Sequence, residues 1–298
     1  MDVSNNWRIV IIGKTGAGKS SLGNTIFGKK CFKSGHTLNS ETTDCKADTE
    51  SVNGRSITLI DTPGFFDTDR SEEELKREIV RCIIECAPGP HAFLIVLKVE
   101  KFTEHEQAVI TKIHEYFSEE VFRYTVVLFT HGDQLEEGMK IEELVHQHKF
   151  LRDLVEKCGS QCHVIDNKYW NGNPNDEYRN NHFQVEELLK SIDKMTEANK
   201  GSCYTNETLQ KVENKIQEEE KRIRLSSVNM SDRAIREQAK ASVFIEILIQ
   251  MAGFATTALL RSLFGMGKVT QAVASPVMGS LGALLSYIGG FFQTKRAQ

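Results

Sequence analysis

The sequence predicts an α/β protein whose main domain is a doubly wound, mostly parallel sheet with one antiparallel hairpin, followed by an α-helical C-terminal extension. Short apolar segments alternate with charged helical segments up to about residue 200, as in such sheets. Asn53-Gly54 joins two extended segments and is a strong signal for a hairpin turn. Strand patterns are missing beyond residue 200, so we predict a domain over residues 1–200 and a helical extension over 201–298.

The first apolar segment, residues 8–13, is nearly continuous, which is typical of a strand buried on both faces. A glycine-rich turn and a helix to about residue 27 follow. The hairpin strands are predicted at 45–52 and 56–61. Later strands are predicted at 92–97, 124–129 and 163–165, and helices at 71–86, 104–117, 141–157 and 183–199.

The extension begins with a highly charged helix over residues 205–224 and a pivot near 226–231. Either Ser231 or Asp232 is suited to cap the next helix, which becomes steadily more apolar from Ser242 onward. Residues 201–298 carry 12 Lys and Arg against 8 Asp and Glu. This leaves 25 against 33 for residues 1–200. The net charge is therefore −8 for residues 1–200 and +4 for residues 201–298.

The composition excludes several classes of protein. With 298 residues, 40% of them hydrophobic and 26% charged, the chain is not a disordered or collagen-like protein. A net charge of −4 argues against nucleic acid as a partner. Seven dispersed cysteines predict reduced thiols and a cytoplasmic location. The polar, acidic residues 1–6 lead us to expect no secretory signal.

A phosphate-binding loop is predicted directly after the first strand. The sequence GKTGAGKS at residues 13–20 matches the pattern GxxxxGK[ST] between a predicted strand and a predicted helix. Glycines allow backbone N–H groups to turn toward phosphate oxygens, and the helix N-terminus adds positive potential. Lys19 would supply charge to the β- and γ-phosphates, and the Ser20 hydroxyl suits a Mg²⁺ ligand.

Two further segments are predicted to respond to a γ-phosphate. Asp61 ends the second hairpin strand, where a carboxylate can hold Mg²⁺ through water, and the Gly64 N–H can contact a γ-phosphate. The polar, non-periodic stretch at residues 40–44 contains Thr42 and Thr43. Either hydroxyl would serve as a Mg²⁺ ligand, and a simple exposed connector is the alternative.

Guanine is the expected base. Asp133 lies just beyond an apolar strand, and a carboxylate there accepts both the N1–H and the N2–H of guanine. Adenine cannot make this pair, and a site built on such hydrogen bonds rejects a base that lacks them.

Five spaced blocks together resemble the GIMAP family, the immunity-associated nucleotide-binding GTPases related to septins and Toc GTPases. The blocks are the phosphate loop, the Thr42 loop, residues 61–67, residues 91–106 and residues 130–133. The resemblance covers about residues 6–200. It implies a Ras-like G domain that binds GTP or GDP with Mg²⁺ and forms nucleotide-dependent homodimers or oligomers. Assembly with other family members is a further expectation.

The resemblance also assigns roles to residues. Thr42 would be the switch-I threonine, and Asp61 and Gly64 would form switch II. His131, in place of a common lysine, could pack on the base that Asp133 reads. The residues that would hold the nucleotide are Gly13, Lys14, Thr15, Gly16, Ala17, Gly18, Lys19, Ser20, Ser21, Gly64, Thr130, His131, Asp133 and Asn167, with Ser20, Thr42 and Asp61 at the metal. Asn167 belongs to the shortest and least specific of these motifs, and an ordinary turn residue is the alternative.

Slow hydrolysis is expected. Ras-type hydrolysis uses a glutamine after the switch-II glycine, and Phe65 occupies that position here. Some relatives look able to supply an arginine across a dimer, and Lys101 stands at the matching position. Lysine keeps the charge but loses the bidentate fork. We therefore expect weak or assembly-stimulated GTP hydrolysis involving Lys101 and Thr42, and a non-hydrolysing GTP-bound scaffold is the alternative.

The C-terminal tail, about residues 243–292, has two interpretations. Residues 269–292 contain no charged side chain, and a helix of that length would cross a bilayer core of about 30 Å. Small residues recur at four-residue spacing within it. These features predict attachment to lipid at the cytosolic face of an intracellular membrane. The alternative is that both apolar segments of the extension fold back onto the G domain or a second protomer.

Overall fold

The structure is a computed structural model that describes residues 6–33, 45–64, 71–100, 104–170, 176–226, 230–250 and 255–265, with only the backbone described for 104–106. Thr42, Lys101 and the tail beyond residue 265 lie outside these ranges. The roles expected for them therefore have no structural counterpart here.

In the part of the chain that the structure describes, six strands form one sheet in the order β2-β3-β1-β4-β5-β6. All neighbours are parallel except β2 and β3, which pair antiparallel as the hairpin. The predicted fold class is thereby confirmed. The strands are β1 (Asn6–Ile12), β2 (Lys46–Val52), β3 (Arg55–Asp61), β4 (Ala92–Lys98), β5 (Thr125–Thr130) and β6 (Cys162–Val164).

Strand position in the sheet follows the sequence pattern. β4 and β5 are buried along almost their whole length and lie in the interior of the sheet. β2 is exposed at most positions and forms an edge. The turn between β2 and β3 places Asn53 and Gly54 at φ 49° and 78°, the left-handed conformations that two-residue hairpin turns require.

Ten helices occur in the described part of the chain. They are α1 (Lys19–Phe27), α2 (Glu72–Cys86), α3 (Glu104–Tyr116), α4 (Glu119–Phe122), α5 (Ile141–Gln147), α6 (Lys149–Lys157), α7 (Asn181–Ala198), α8 (Glu207–Ser226), α9 (Asp232–Gln250) and α10 (Thr256–Phe264). Ser71 caps α2 in a reciprocal bond pair with Glu74. At the pivot of the extension, the Ser231 hydroxyl accepts the Ala234 N–H.

One predicted helix, at residues 141–157, is two helices in the structure. His148 has an extended conformation and separates α5 from α6. In one continuous helix of 3.6 residues per turn, Leu151 would lie about 120° around the axis from Val145. The break re-orients α6, so that Leu151 and Val145 are both buried.

Helices cover both faces of the sheet. Leu22 of α1 and Leu188 of α7 belong to the apolar cluster on one face. The cluster on the other face contains residues of α2, α3, α5 and α6 and also of α8, α9 and α10. The extension therefore shares a hydrophobic core with the sheet, while the boundary expected near residue 200 remains a prediction.

The last described helix, α10, packs against the G domain. Phe264 of α10 is fully buried, with its ring centroid 4.4 Å from that of Phe117 and 5.9 Å from that of Phe93. The Ser118 N–H donates to the Phe264 carbonyl over 3.0 Å. This part of the apolar extension thus folds back onto the G domain, as the second interpretation expects. None of the helices described here combines the length and apolar character needed to cross a bilayer.

Ion pairs hold α9 against its neighbours. Lys240 Nζ lies 2.7 Å from the carboxylate of Glu85 on α2, with both side chains largely buried. Arg236 contacts the Glu213 carboxylate of α8 at 2.8 Å, and Glu220 at 2.9 Å. Each of the seven cysteines has a free thiol in this structure.

Candidate nucleotide-binding site

The predicted site residues converge on one edge of the sheet. In a parallel sheet, ligands bind at the carboxyl ends of the strands, where the chain order switches direction. Here β1 has β3 on one side and β4 on the other. The loops that follow β1, β3, β5 and β6 carry the predicted phosphate, metal and base residues, and they meet at this edge.

The phosphate loop lies close against β4. A Cβ on Gly13 would lie 2.5 Å from the Val96 carbonyl oxygen, so any side chain there would displace the loop from the strand. Gly18 has φ 82° and directly precedes α1, which leaves its backbone in a conformation that L-residues rarely adopt. Gly16, also at positive φ, is exposed and has open space around it.

Lys19 lies inside the curve of the loop. Its side chain is 6% exposed, and Nζ donates to the Gly13 carbonyl over 2.9 Å and to the Lys14 carbonyl over 2.8 Å. Lys14 itself forms an ion pair with Glu100 at 3.0 Å. A buried ammonium beside the N-terminus of α1 concentrates positive potential, which is the electrostatic requirement for binding phosphate.

The metal side of the site consists of Ser20 and Asp61. The Ser20 hydroxyl donates to Asp61 Oδ2 over 2.6 Å, and Asp61 Oδ1 is a buried oxygen without a hydrogen-bond partner among the described residues. Burial raises the pKa of Asp61, while the Ser20 hydrogen bond and the charge of Lys19 oppose that rise. A buried carboxylate oxygen beside a hydroxyl fits a hard divalent cation such as Mg²⁺. When bound, Mg²⁺ would neutralise phosphate charge.

The residues after Asp61 are anchored to β1. The Thr62 hydroxyl donates to the Ile11 carbonyl over 2.6 Å, and Gly64 is buried at the end of the described segment. This brings the expected switch-II glycine to the same edge as the phosphate loop. Residues 65–70 lie outside the described ranges.

Thr130 supports the phosphate loop from β5. Its hydroxyl is fully buried and contacts the carbonyls of Ala17 at 2.8 Å and Leu97 at 3.3 Å. The contact with Ala17 joins residues 113 positions apart. These contacts tie β5 to the phosphate loop, and the contact of Thr130 with the nucleotide remains a prediction.

The base side begins with a short 3₁₀ turn, Gly132–Gln134. His131 precedes it at φ 60°, and burial and the nearby Lys98 charge lower the pKa of its imidazole. A Cβ on Gly132 would lie 2.5 Å from the Trp170 ring, so glycine is required for the turn to approach this ring. Asp133 is half-buried and accepts a hydrogen bond from Gln134 over 2.6 Å.

Asn167 contacts the phosphate-loop side of the site. Its Oδ1 accepts the Thr25 hydroxyl over 2.9 Å, and its Nδ2 donates to the Gly18 carbonyl over 3.4 Å. Asn167 therefore ties the loop after β6 to α1. Its side chain is directed to the protein in this structure, and a direct contact with a base remains a prediction.

Sequence reasoning missed the importance of Asp166 and Asn181. Asp166 is 2% exposed, and its carboxylate accepts the N–H groups of Lys168, at 2.9 Å, and Tyr169. The Asn181 amide bonds both the N–H and the carbonyl of Asp166. A charged residue soon after a short buried strand, with N–H donors two and three residues further on, was the available signal. The contact with Asn181, 15 positions along the chain, could not be found from spacing.

The amino-acid sequence of this chain is similar to that of a known protein family. The sequence profile of the AIG1 family matches residues 7–224. Immune-associated nucleotide-binding protein 8 of Arabidopsis thaliana is 33% identical over 246 residues, 81% of this chain and 67% of the relative. Protein 7 of the same series is 33% identical over 256 residues, covering 82% and 79%. Protein 9 is 31% identical over 224 residues, and that match spans 73% of this chain and 64% of the relative's length.

Among solved structures, a dimerization-deficient mutant of Toc33 from Arabidopsis thaliana has a TM-score of 0.50 at 18% identity. The match covers 64% of this chain and 84% of Toc33. At that identity the likeness supports the fold alone. The profile match across most of the chain, together with relatives above 30% identity, identifies the family. This chain belongs to the AIG1 family.

Proposed function

We propose that the protein is a guanine-nucleotide-binding switch that uses Mg²⁺, hydrolyses GTP slowly or upon assembly, and dimerises or oligomerises in its GTP state. The observation that carries the proposal is the arrangement of charges along one edge. A buried ammonium, Lys19, lies in the phosphate loop. Beside it lies the buried carboxylate of Asp61, one oxygen of which has no hydrogen-bond partner within the described ranges. A half-buried carboxylate, Asp133, follows β5 on the same edge.

Each charge has a separate task in this proposal. Lys19 and the N–H groups at the start of α1 bind the phosphates, and Ser20 and Asp61 hold Mg²⁺. Asp133 accepts the N1–H and N2–H of guanine and thereby excludes adenine. The relatives' description as immune-associated nucleotide-binding proteins supports nucleotide binding by this chain.

Nucleotide binding by the full chain tests the base assignment. We expect micromolar or tighter affinity for GDP and GTP in the presence of Mg²⁺, and much weaker affinity for ATP. Asp133→Asn should weaken GDP binding about 100-fold or more, since it removes charged hydrogen bonds. The same variant should gain affinity for xanthosine diphosphate, because its amide can donate to the 2-oxo group of xanthine.

Glu137→Gln is the matched control, because it removes an exposed carboxylate from the same loop. We expect it to leave nucleotide binding unchanged. Equal affinity for ATP and GTP in the wild-type chain would refute the guanine assignment.

Dimerisation and hydrolysis form the second part of the proposal. One solved relative in fold is a Toc33 mutant described as dimerization-deficient, and dimerisation is described as important for the GTPase activity of the Toc proteins. Phe65 follows Gly64, so the chain lacks a water-orienting glutamine at that position. We infer that Lys101 of one protomer supplies charge to the site of its partner.

The test is GTP turnover per protomer as a function of protein concentration. A rise with concentration that Lys101→Ala abolishes and Lys101→Arg restores would support shared catalysis. Lys149→Ala, an exposed lysine on α6, is the control. Absence of turnover at every concentration, with GTP retained, favours the non-hydrolysing scaffold.

We propose that the tail at residues 269–292 attaches the protein to a membrane. The proposal does not include α10, because this helix is buried in the protein. Flotation of the full chain with lipid vesicles, compared with a chain that ends at residue 265, tests this attachment. Equal recovery of both chains in the vesicle fraction would refute it.

A further inference from the structure

The turn that carries Asp133 is packed against the ring of Trp170. A Cβ on Gly132 would lie 2.5, 2.7 and 2.9 Å from three carbons in the six-membered part of that ring. Trp170 is 5% exposed, and the Tyr178 ring adjoins it with the ring centroids 6.3 Å apart. The backbone of the turn therefore meets a large, buried side chain at Gly132, one residue before the proposed guanine acceptor.

Arg179 holds the other end of the turn. Its Nη2 group donates to the Leu135 carbonyl over 3.0 Å and to the Glu136 carbonyl over 2.6 Å, directly after the 3₁₀ turn. The Arg179 Nε lies 3.6 Å from the Asp176 carboxylate, and the guanidinium carbon lies 5.9 Å from the centre of the Trp170 ring. One guanidinium thus links the peptides that follow the turn to the ring that packs at its start.

The ring and the turn are both anchored to neighbouring elements. The Trp170 carbonyl accepts the N–H of Asn181, the first residue of α7, over 3.0 Å. The Gly132 N–H donates to the Ile165 carbonyl, just after β6, over 3.2 Å. A displacement of the turn relative to β6 or α7 would therefore break several contacts at once.

The position of the turn decides how many hydrogen bonds Asp133 can accept from a base. Guanine presents its N1–H and N2–H side by side, and a carboxylate accepts both only when its two oxygens line up with that edge. Hydrogen bonds weaken steeply when their geometry is lost. A displaced carboxylate keeps one bond at most, and hypoxanthine, which has an N1–H and no 2-amino group, makes one bond equally well.

We propose that Trp170 and Arg179 are positioning residues that hold Asp133 for the 2-amino group of guanine, and that they thereby set the selectivity of the site against purines without this group. The inference rests on the proposed function and deepens it. Both residues act through the turn: Trp170 limits how far Gly132 can approach the core, and Arg179 fixes the peptides that follow.

The experiment compares the dissociation constants of GDP and inosine diphosphate (IDP) for the full-length wild type, Trp170→Phe and Arg179→Ala at constant Mg²⁺. Phenylalanine keeps an aromatic ring but lacks the far carbons that meet Gly132, and alanine removes the donors to the two carbonyls. The unfolded chain binds neither nucleotide, so poor folding of a variant raises both dissociation constants by the same factor. The ratio of the IDP constant to the GDP constant therefore reports the position of Asp133 and not the folded fraction.

We expect the wild type to bind GDP about tenfold or more tightly than IDP, because the 2-amino group adds a hydrogen bond to a charged acceptor. The ratio should fall to about threefold or less in Trp170→Phe and Arg179→Ala, because a misaligned hydrogen bond contributes little. Arg179→Lys keeps a charged donor without the planar fork and should give an intermediate ratio.

A second contact between a tryptophan and an arginine supplies the matched controls. The Arg55 guanidinium carbon lies 4.6 Å from the centre of the Trp7 ring, where β1 and β3 begin, at the edge of the sheet opposite the site. Trp7→Phe and Arg55→Ala remove the same kinds of group from this distant contact. Both should leave the ratio of the two constants at its wild-type value.

The outcomes separate this inference from the proposed function. A wild-type ratio in Trp170→Phe and Arg179→Ala, whatever the change in each constant, would overturn the positioning role while the guanine site stands. Equal affinity of the wild-type chain for GDP and IDP would refute the contact of Asp133 with the 2-amino group, and with it both the base assignment and this inference.

Discussion

At the scale of single residues, the contact between Ser20 and Asp61 controls the charge on the metal side of the site. Asp61 is 1% exposed, and burial alone would favour its neutral form. The Ser20 hydrogen bond at 2.6 Å stabilises the carboxylate. Without that hydroxyl, the Asp61 carboxylate would be stabilised by the nearby lysine charges and by a bound cation.

We expect Ser20→Ala to reduce the gain in GDP affinity that Mg²⁺ provides by about tenfold or more. The physical reason is the loss of one cation ligand and of one hydrogen bond to a charged group, which contributes about 1.5–3 kcal/mol. The measurement is the dissociation constant of GDP with Mg²⁺ and with EDTA.

Ser51→Ala serves as the control, since Ser51 is exposed on the edge strand β2. It should keep the full Mg²⁺ effect. A Ser20→Ala protein with a wild-type Mg²⁺ effect would contradict the assignment of Ser20 to the metal.

The positions of the site residues along the chain could be predicted from the sequence. The contacts that each side chain makes could be predicted less well. The phosphate loop and Asp61 are local patterns next to strand ends, so spacing alone located them. The contacts of Thr130 with Ala17 and of Asn167 with Thr25 depend on how β5 and β6 approach β1. Spacing carries no information on such long-range approaches, which include the contact of Asn181 with the backbone of Asp166.

At the scale of elements, α10 completes the core beneath the sheet. Its residues Leu259, Leu260, Leu263 and Phe264 are all at most 3% exposed. The apolar sequence of this helix suits a membrane interface as well as a protein interior, so composition alone could not decide between them. In the structure, Phe264 of α10 packs in an aromatic pocket formed by Phe93, Phe117 and Tyr204, so that α10 lies in the protein interior. The pocket is assembled from distant segments of the chain.

We expect Phe264→Ala to lower the free energy of unfolding by about 3–5 kcal/mol, as is usual when a buried aromatic ring is removed and leaves a cavity. Thermal unfolding monitored by circular dichroism checks this value. The exposed Leu225, with 91% of its side chain accessible, provides the control. Leu225→Ala should change the free energy of unfolding by less than about 0.5 kcal/mol. Equal small effects for both variants would show that α10 does not anchor the extension.

At the scale of the whole molecule, buried histidines couple stability to pH. His163 is the middle residue of β6, and its Nε2 contacts the hydroxyl of Ser191 on α7 at 2.9 Å. Burial lowers the pKa of His163 to about 4. His91, which accepts the Arg8 N–H, also has a pKa lowered by burial to about 4. Both rings are neutral in the folded protein over most of the acidic range.

The sign of the pH effect follows from these shifts. Below the ordinary histidine pKa of about 6.5, the unfolded chain binds protons that the folded chain excludes. Stability is therefore expected to fall as the pH decreases from about 6.5 to about 4, by up to about 3 kcal/mol for His163. Urea unfolding at pH 7.5 and pH 4.5 measures this difference.

His163→Gln should reduce the pH dependence, because glutamine carries no titrating group. His182→Gln removes an exposed histidine near the start of α7 and should leave the pH dependence at its wild-type value. The same acid loss in wild type and His163→Gln would argue against a neutral buried imidazole.

Helix α2 has apolar partners on two sides. It contacts β3 of the sheet on one side and α8, α9 and α10 on the other, and Ile79, Val80, Ile83 and Ile84 are nearly inaccessible to water. Removal of all residues after 200 would expose to water the side of α2 that packs on α8, α9 and α10. It would also remove Lys240, the ion-pair partner of Glu85. A recombinant fragment trimmed at the end of α7 would therefore be prone to aggregate, and one that keeps the chain through Gly265 would retain the cover that keeps it soluble.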